Sequence, residues 1–256
     1  MQIFCVLFHS GFRTLSRYVE ASIASVFTSV LFLLVQYFLW KAVSAGNTYG
    51  FSELFTYLVF SHIIAAFYPQ YLSHRLGSLI RSGDIAFALL RPYPLPLQLV
   101  FEELGSSAYL LLFTSLPILI AGEIISGFNL AFCNLLPSIC FLALSYVMAL
   151  LIELLFATLQ FVTYSSWGIN SLKYTAIMLL SGRILPFDFY PSWALKIVEV
   201  LPFRFIYASP LEILSGKTNN GFLQLALFAL LWIFLLYICF SLIYRACLRR
   251  VIISGG

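Results

Sequence analysis

Leu76–Pro96, LGSLIRSGDIAFALLRPYPLP, is the polar interruption that decides how the chain is read. It lies between two long apolar runs and carries Arg81, Asp84 and Arg91, with Pro92, Pro94 and Pro96 at alternate positions. Each proline lacks an N–H and fixes φ, so the backbone after Arg91 should leave the helix and extend. Upstream, Ile85, Ala86, Phe87, Leu89 and Leu90 are apolar between charged flanks. That pattern predicts a short amphipathic helix on a membrane surface, with a polar side left for another contact.

The rest of the chain explains why a surface is available. Of its 256 residues, 62% are hydrophobic and 9% charged, with a mean hydropathy of +0.99. Soluble domains carry about 25% charged residues, so this composition is that of a polytopic membrane protein. The 14 basic against 10 acidic residues read as a topology signal rather than as nucleic-acid binding. The five cysteines, at 5, 133, 140, 239 and 247, form no C-x-x-C or metal-spaced cluster and read as packing residues; no metal site is expected. The first twenty residues lack the basic start and cleavage site of a signal peptide. Residues 2–19 instead place Ile3, Phe4, Leu7, Phe8, Phe12, Leu15 and Val19 on one helical side, which predicts an interfacial helix.

Six spans are expected, at about 21–40, 54–73, 99–122, 131–158, 166–185 and 221–244, each near the length needed to cross roughly 30 Å of hydrocarbon. The expectation is an all-α membrane domain of one unit, 1–256, with the opening stretch between helices 2 and 3. An even span number puts both termini on one side. Assigning that side to the cytoplasm leaves nine basic residues inside and five outside, in keeping with the positive-inside rule. Ser181–Lys217 is too apolar for a solvated loop and too broken by proline for a span. It predicts short re-entrant helices packed on protein at the outer side, starting near Pro191-Ser192 and Ser209-Pro210.

Two stretches carry a family resemblance. RSGDIAFALLRPYPLP (81–96) is similar to the Gly, acidic, apolar-turn, Leu-Arg-Pro pattern after the second span of ABC-2-type exporters. SGRILPFDFYPSW and LPFRFIYASPLEILSG (181–193 and 201–216) are similar to the series before the last span of those permeases, within a bacterial subgroup formerly labelled a domain of unknown function. The resemblance implies the membrane subunit of an ATP-driven exporter in a bacterial inner membrane, with no catalytic residues of its own. It further implies a separate ATP-binding-cassette ATPase that uses ATP and Mg, and a second permease chain, either a copy or a relative. The cytoplasmic helix would couple to the ATPase through Arg81, Gly83, Asp84, Phe87, Arg91 and Pro92. A hydrophobic or amphipathic substrate, such as a drug, antibiotic, peptide or lipid, would leave the cytoplasm or inner leaflet.

Independently of the resemblance, no Walker A sequence occurs, so no cofactor or nucleotide site is expected in this chain. Glu153 is the one acid deep in an expected span and reads either as part of a pathway or gate or as a group near the cytoplasmic end that pairs with Lys173 or a helix terminus. Arg183 and Asp188 bracket the outer end of the fifth expected span, as a pair there, as substrate-pathway or gate residues, or as side chains snorkelling to the interface. His62 predicts a bond to a neighbouring helix. An ion-gradient-driven transporter is the alternative reading, although it calls for repeats and several intramembrane acids that the sequence lacks.

Overall fold

The computed structural model describes residues 2–44, 51–126, 135–163, 166–215 and 221–249. Residues 131–134 of the expected fourth span, together with Cys133, Gly216, Lys217 and Arg250, lie outside them. The described residues are helical with no strand. In chain order the α-helices are α1 Gln2–Ser16, α2 Val19–Ser44, α3 Phe51–Phe67, α4 Leu72–Ser82, α5 Ile85–Leu89, α6 Leu95–Leu110, α7 Leu116–Ser126, α8 Leu135–Thr163, α9 Ser166–Leu180, α10 Ser192–Val198, α11 Ala208–Leu214 and α12 Phe222–Leu248.

Among the described residues, five stretches are long and apolar enough to cross a membrane: Val19–Ala42, Phe51–Ser82, Leu95–Ile125, Leu136–Thr163 and Phe222–Leu248. The expected fifth span, 166–185, is not among them. Its helix stops at Leu180 after 15 residues, about 22 Å of rise, because the chain turns at Ser181–Gly182 instead of continuing through Leu185. The expected second span, 54–73, lies within Phe51–Ser82, but its helix is interrupted. α3 ends at Phe67, just before Pro69, and the chain re-enters helix only at Leu72.

Leu95–Ile125 contains a π-helical turn at Leu111–Ser115 joining α6 to α7. Pro117 has no N–H to offer the Phe113 carbonyl one α-turn earlier, so the ladder loosens just before it. The Ser115 hydroxyl uses the irregular turn to donate to the Ile63 carbonyl at 3.1 Å, tying α7 to α3.

α1 does pack its apolar side, but against α6. Phe4 stacks on Phe101 at 4.5 Å, and Phe12 meets Tyr109 edge-on at 5.3 Å. The two backbones touch: a Cβ on Gly11 would overlap the Glu102 carbonyl, and one on Gly105 would overlap the Phe8 carbonyl. Only glycine at both positions permits this crossing. Leu33 of α2, Phe55 and Val59 of α3, and Ile118 of α7 form one buried cluster.

α8 is the central post. One of its sides packs Phe141, Met148 and Ile152 against α3, α11 and α12; another packs Leu150, Leu154 and Phe161 against α4, α5, α6 and α12. By contrast α12 leaves Leu223, Leu227, Leu231, Phe234 and Leu242 exposed, as a lipid-facing helix does. Segment 181–215 is built from α10, α11 and 3₁₀ turns at Phe187–Phe189 and Pro202–Phe205. Its helix starts differ from expectation in detail: Pro191 and Tyr207 stand at the caps, and neither start has a side-chain cap.

Candidate functional site

The break at Pro69 leaves α4 with backbone N–H groups that have no helical acceptor, as at any helix start. No local side chain caps them; Tyr71 occupies the cap position. Two buried carboxylates from distant helices take over. Glu103 Oε1, on α6, accepts the Gln70 and Tyr71 N–H groups at 2.8 and 3.0 Å. Glu153 Oε2, on α8, accepts the Ser73 N–H at 3.3 Å and the Ser73 hydroxyl at 2.7 Å. A negative charge at a helix start is doubly favourable, because it also faces the positive end of the helix dipole.

Glu153 is 2% exposed and its charge is answered in place. Its Oε1 forms an ion pair with Lys173 Nζ of α9, itself 6% exposed. Lys173 also reaches the Ser73 hydroxyl at 3.3 Å and Asn170 Oδ1 at 3.4 Å. Gln160 donates to the Ser73 carbonyl at 3.0 Å, so Ser73 is held from both backbone groups and from its side chain. One turn along α4, Arg75 pairs with Glu102 of α6 at 3.2 Å and donates to Ser106 Oγ at 2.6 Å. Removing one member of a buried pair leaves an uncompensated charge, at a cost of about 3–5 kcal/mol, so this root is stiffly held.

From that root a hairpin projects. α4 ends at Gly83, whose φ of 78° is the left-handed cap conformation that glycine adopts without strain. The Ser82 hydroxyl donates to Asp84 Oδ2 at 2.7 Å, and α5 follows for a little over one turn. Ile85 and Ala88 are buried against the root, whereas Phe87 is 71% and Leu90 81% exposed. Gln98 holds the return strand: it donates to the Ala88 and Tyr93 carbonyls at 2.9 and 3.1 Å and accepts from Arg91 at 3.0 Å. The extended strut is shorter than the proline spacing predicts. Pro94 is extended, but Pro96 already lies in the first turn of α6.

Beside the root lies an open cleft of about 440 Å³. Glu153 of α8 and Asn170, Lys173 and Tyr174 of α9 line it, with Gln70, Tyr71 and His74 at the start of α4 and with Arg183 and Tyr207. Arg183 does not pair with Asp188. Its guanidinium sits 5.4 Å from the Tyr174 ring and 5.8 Å from the Tyr207 ring. Asp188 lies elsewhere, in a small pocket with Glu53, Tyr57 and Glu212.

A family model described as ABC-2 family transporter protein matches residues 21–255. The chain belongs to the ABC-2 transporter family. No curated protein and no solved structure matches it. An ABC-2 chain of this kind is a multi-pass membrane permease that works with an ATP-binding-cassette partner.

Within this permease, the residues singled out from sequence fall into three places. Arg81, Gly83, Asp84, Phe87, Arg91 and Pro92 all belong to the projecting hairpin. Glu153 and Arg183 share the cleft, and Asp188 is apart from them. His62 Nε2 lies 3.0 Å from Gln36 Oε1 of α2, the neighbouring-helix bond expected of it. Glu102 and Glu103, inside the third expected span, are not singled out by the sequence. The signal that identifies them is upstream: Pro69 followed by Gln70 and Tyr71 starts a helix with no capping residue, so its acceptors must come from elsewhere.

Proposed function

We propose that this permease is the membrane half of an ATP-driven exporter of hydrophobic or amphipathic molecules, and that the α4–α5 hairpin is its contact with the ATPase. The exposure of Phe87 and Leu90 at the end of a charge-clamped hairpin carries the reading. Two adjacent large apolar side chains on a projecting turn suit a pocket on a partner. Arg81, Asp84 and Arg91 surround them as a charged rim, while Gly83 and Pro92 set the bends at either side. The chain binds no nucleotide; ATP and Mg belong to the partner.

The clamp supplies the mechanical link. A displacement of α5 reaches Ser73 through α4, and Ser73 is bonded to Glu153, Lys173 and Gln160. Movement of the ATPase therefore acts on α8 and α9, which wall the cleft at Glu153, Asn170 and Tyr174. We assign the cleft, with Glu153 and Arg183, to the transport pathway, and Asp188 to a gate near the pocket it shares with Glu53 and Glu212. In this scheme α9 and segment 181–215 together form the fifth membrane passage. The count is then six, both termini are cytoplasmic, and the inner membrane holds the chain beside a second permease. The ion-driven alternative calls for repeats and several intramembrane acids, and Glu153, the acid singled out from sequence, is engaged with Lys173.

Co-expression with an ABC ATPase tests the proposal. The pair should co-purify, and export of a hydrophobic dye should require ATP hydrolysis. A permease that purifies alone and transports at full rate without ATP overturns it.

A further inference from the structure

We propose that the cleft binds an amphipathic anion, with the guanidinium of Arg183 receiving its phosphate or carboxylate head. The assignment deepens the pathway reading and rests on it. Three observations converge. First, Arg183 is a half-buried cation, and no carboxylate of a described residue lies within ion-pairing distance of it. Its contacts are the Tyr174 and Tyr207 rings, which hold the guanidinium plane while leaving its N–H groups available. Second, the other charges of the cleft cancel. Glu153 is matched by Lys173 and bonded to Ser73, so Arg183 supplies the net positive charge. Third, Asn170 Nδ2 is buried in the wall of the same cleft without an acceptor, although Asn170 Oδ1 is occupied by Lys173. An unanswered donor in the same cleft as a cation without a carboxylate partner calls for a ligand rich in acceptors.

The apolar part of the ligand has a place as well. Ala65, Pro69, Trp167 and Ile177 also line the cleft. Arg183, Ala65, Gln70 and Tyr71 also border a second cavity of about 190 Å³, walled by Ala21, Ser22, Ser25 and Ser29 of α2. The two cavities thus meet at Arg183. The chemistry selected is one anionic head with an attached hydrocarbon, whether an anionic phospholipid of the bilayer or an amphipathic acid carried as cargo.

The full-length permease in neutral dodecyl maltoside micelles, without any ATPase, provides the test, with radiolabelled dodecyl phosphate as the probe. Wild type should bind it saturably. Arg183→Ala should weaken binding at least tenfold. Arg183→Lys, which keeps the charge but loses the planar fork, should weaken it at least threefold with thermal stability unchanged. Arg13→Ala, the same charge change on exposed α1, should bind as wild type does. Neither dodecanol nor inorganic phosphate should compete as well as unlabelled dodecyl phosphate. Phosphatidylglycerol that displaces the probe identifies the lipid as the source of the head group, and failure to displace it identifies an amphipathic acid. Undiminished binding by both Arg183 variants, or equal competition by dodecanol, overturns the proposal. Because no ATPase is present, a failure here leaves the exporter reading standing, and failure of ATPase docking leaves this binding intact.

Discussion

The two irregular stretches of this permease, residues 68–98 and 181–215, break the helical lattice in opposite senses. At the first, a helix begins without a cap and its orphaned donors are N–H groups; buried carboxylates of Glu103 and Glu153 receive them. At the second, α9 ends and the orphans are carbonyls; neutral donors serve them instead. Tyr57 donates to the Gly182 carbonyl at 2.7 Å, Ser61 to Arg183 at 2.6 Å, Ser145 to Phe205 at 2.6 Å, and the Trp232 indole to Val200 at 3.1 Å. At the first region charged groups answer the orphaned backbone. At the second neutral donors do, and the ion pairs of that segment, Arg204 with Glu212 at 3.1 Å and with Glu199 at 3.7 Å, join side chains only. Hydrogen bonds to charged groups contribute about 1.5–3 kcal/mol, against about 1 kcal/mol for neutral ones, so the first region should be the stiffer.

The largest effect expected is from Glu153→Ala, which strands Lys173 and frees the Ser73 N–H. Unfolding in detergent micelles should show a loss of about 3–5 kcal/mol. The double variant Glu153→Leu with Lys173→Met, which removes both charges, should recover most of that loss. If the double variant is no better than the single one, the pair is not what holds the root. Next comes Glu103→Ala, expected to cost about 2 kcal/mol by orphaning the N–H groups of Gln70 and Tyr71. Glu103→Gln keeps an acceptor and should cost about half as much. On the other side of the comparison, Ser145→Ala and Ser61→Ala should each cost about 1 kcal/mol by the same measurement. Hydroxyl losses equal to the Glu103→Ala loss would erase the distinction between the two regions.

The contrast also marks what could be read from sequence. The long spans were legible because apolar composition over twenty residues is a local property: α2, α8 and α12 fall within a few residues of their expected places. The Glu153–Lys173 pair was legible as one of two options, since a lone acid in hydrocarbon needs a partner. The fifth span is drawn to Leu185 because apolar residues continue that far, whereas α9 ends at Leu180 and the turn after it gives its Gly182 and Arg183 carbonyls to Tyr57 and Ser61 of α3. Asp188 and Arg183 are only five residues apart, yet the turn after α9 sends them to different cavities. The clamp was invisible for the same reason. Its partners lie 20 to 100 residues apart, and nothing local announces them except a helix start that lacks its own cap.

Phe87→Ser combined with Leu90→Ser tests the central claim, that a clamped root carries a partner-binding tip. Both side chains are exposed, so the variant's unfolding free energy should stay within about 0.5 kcal/mol of wild type. Affinity purification of the permease co-expressed with its ABC ATPase should then show the ATPase lost from the complex. An ATPase that co-purifies with the double-serine variant in wild-type amount would contradict the account.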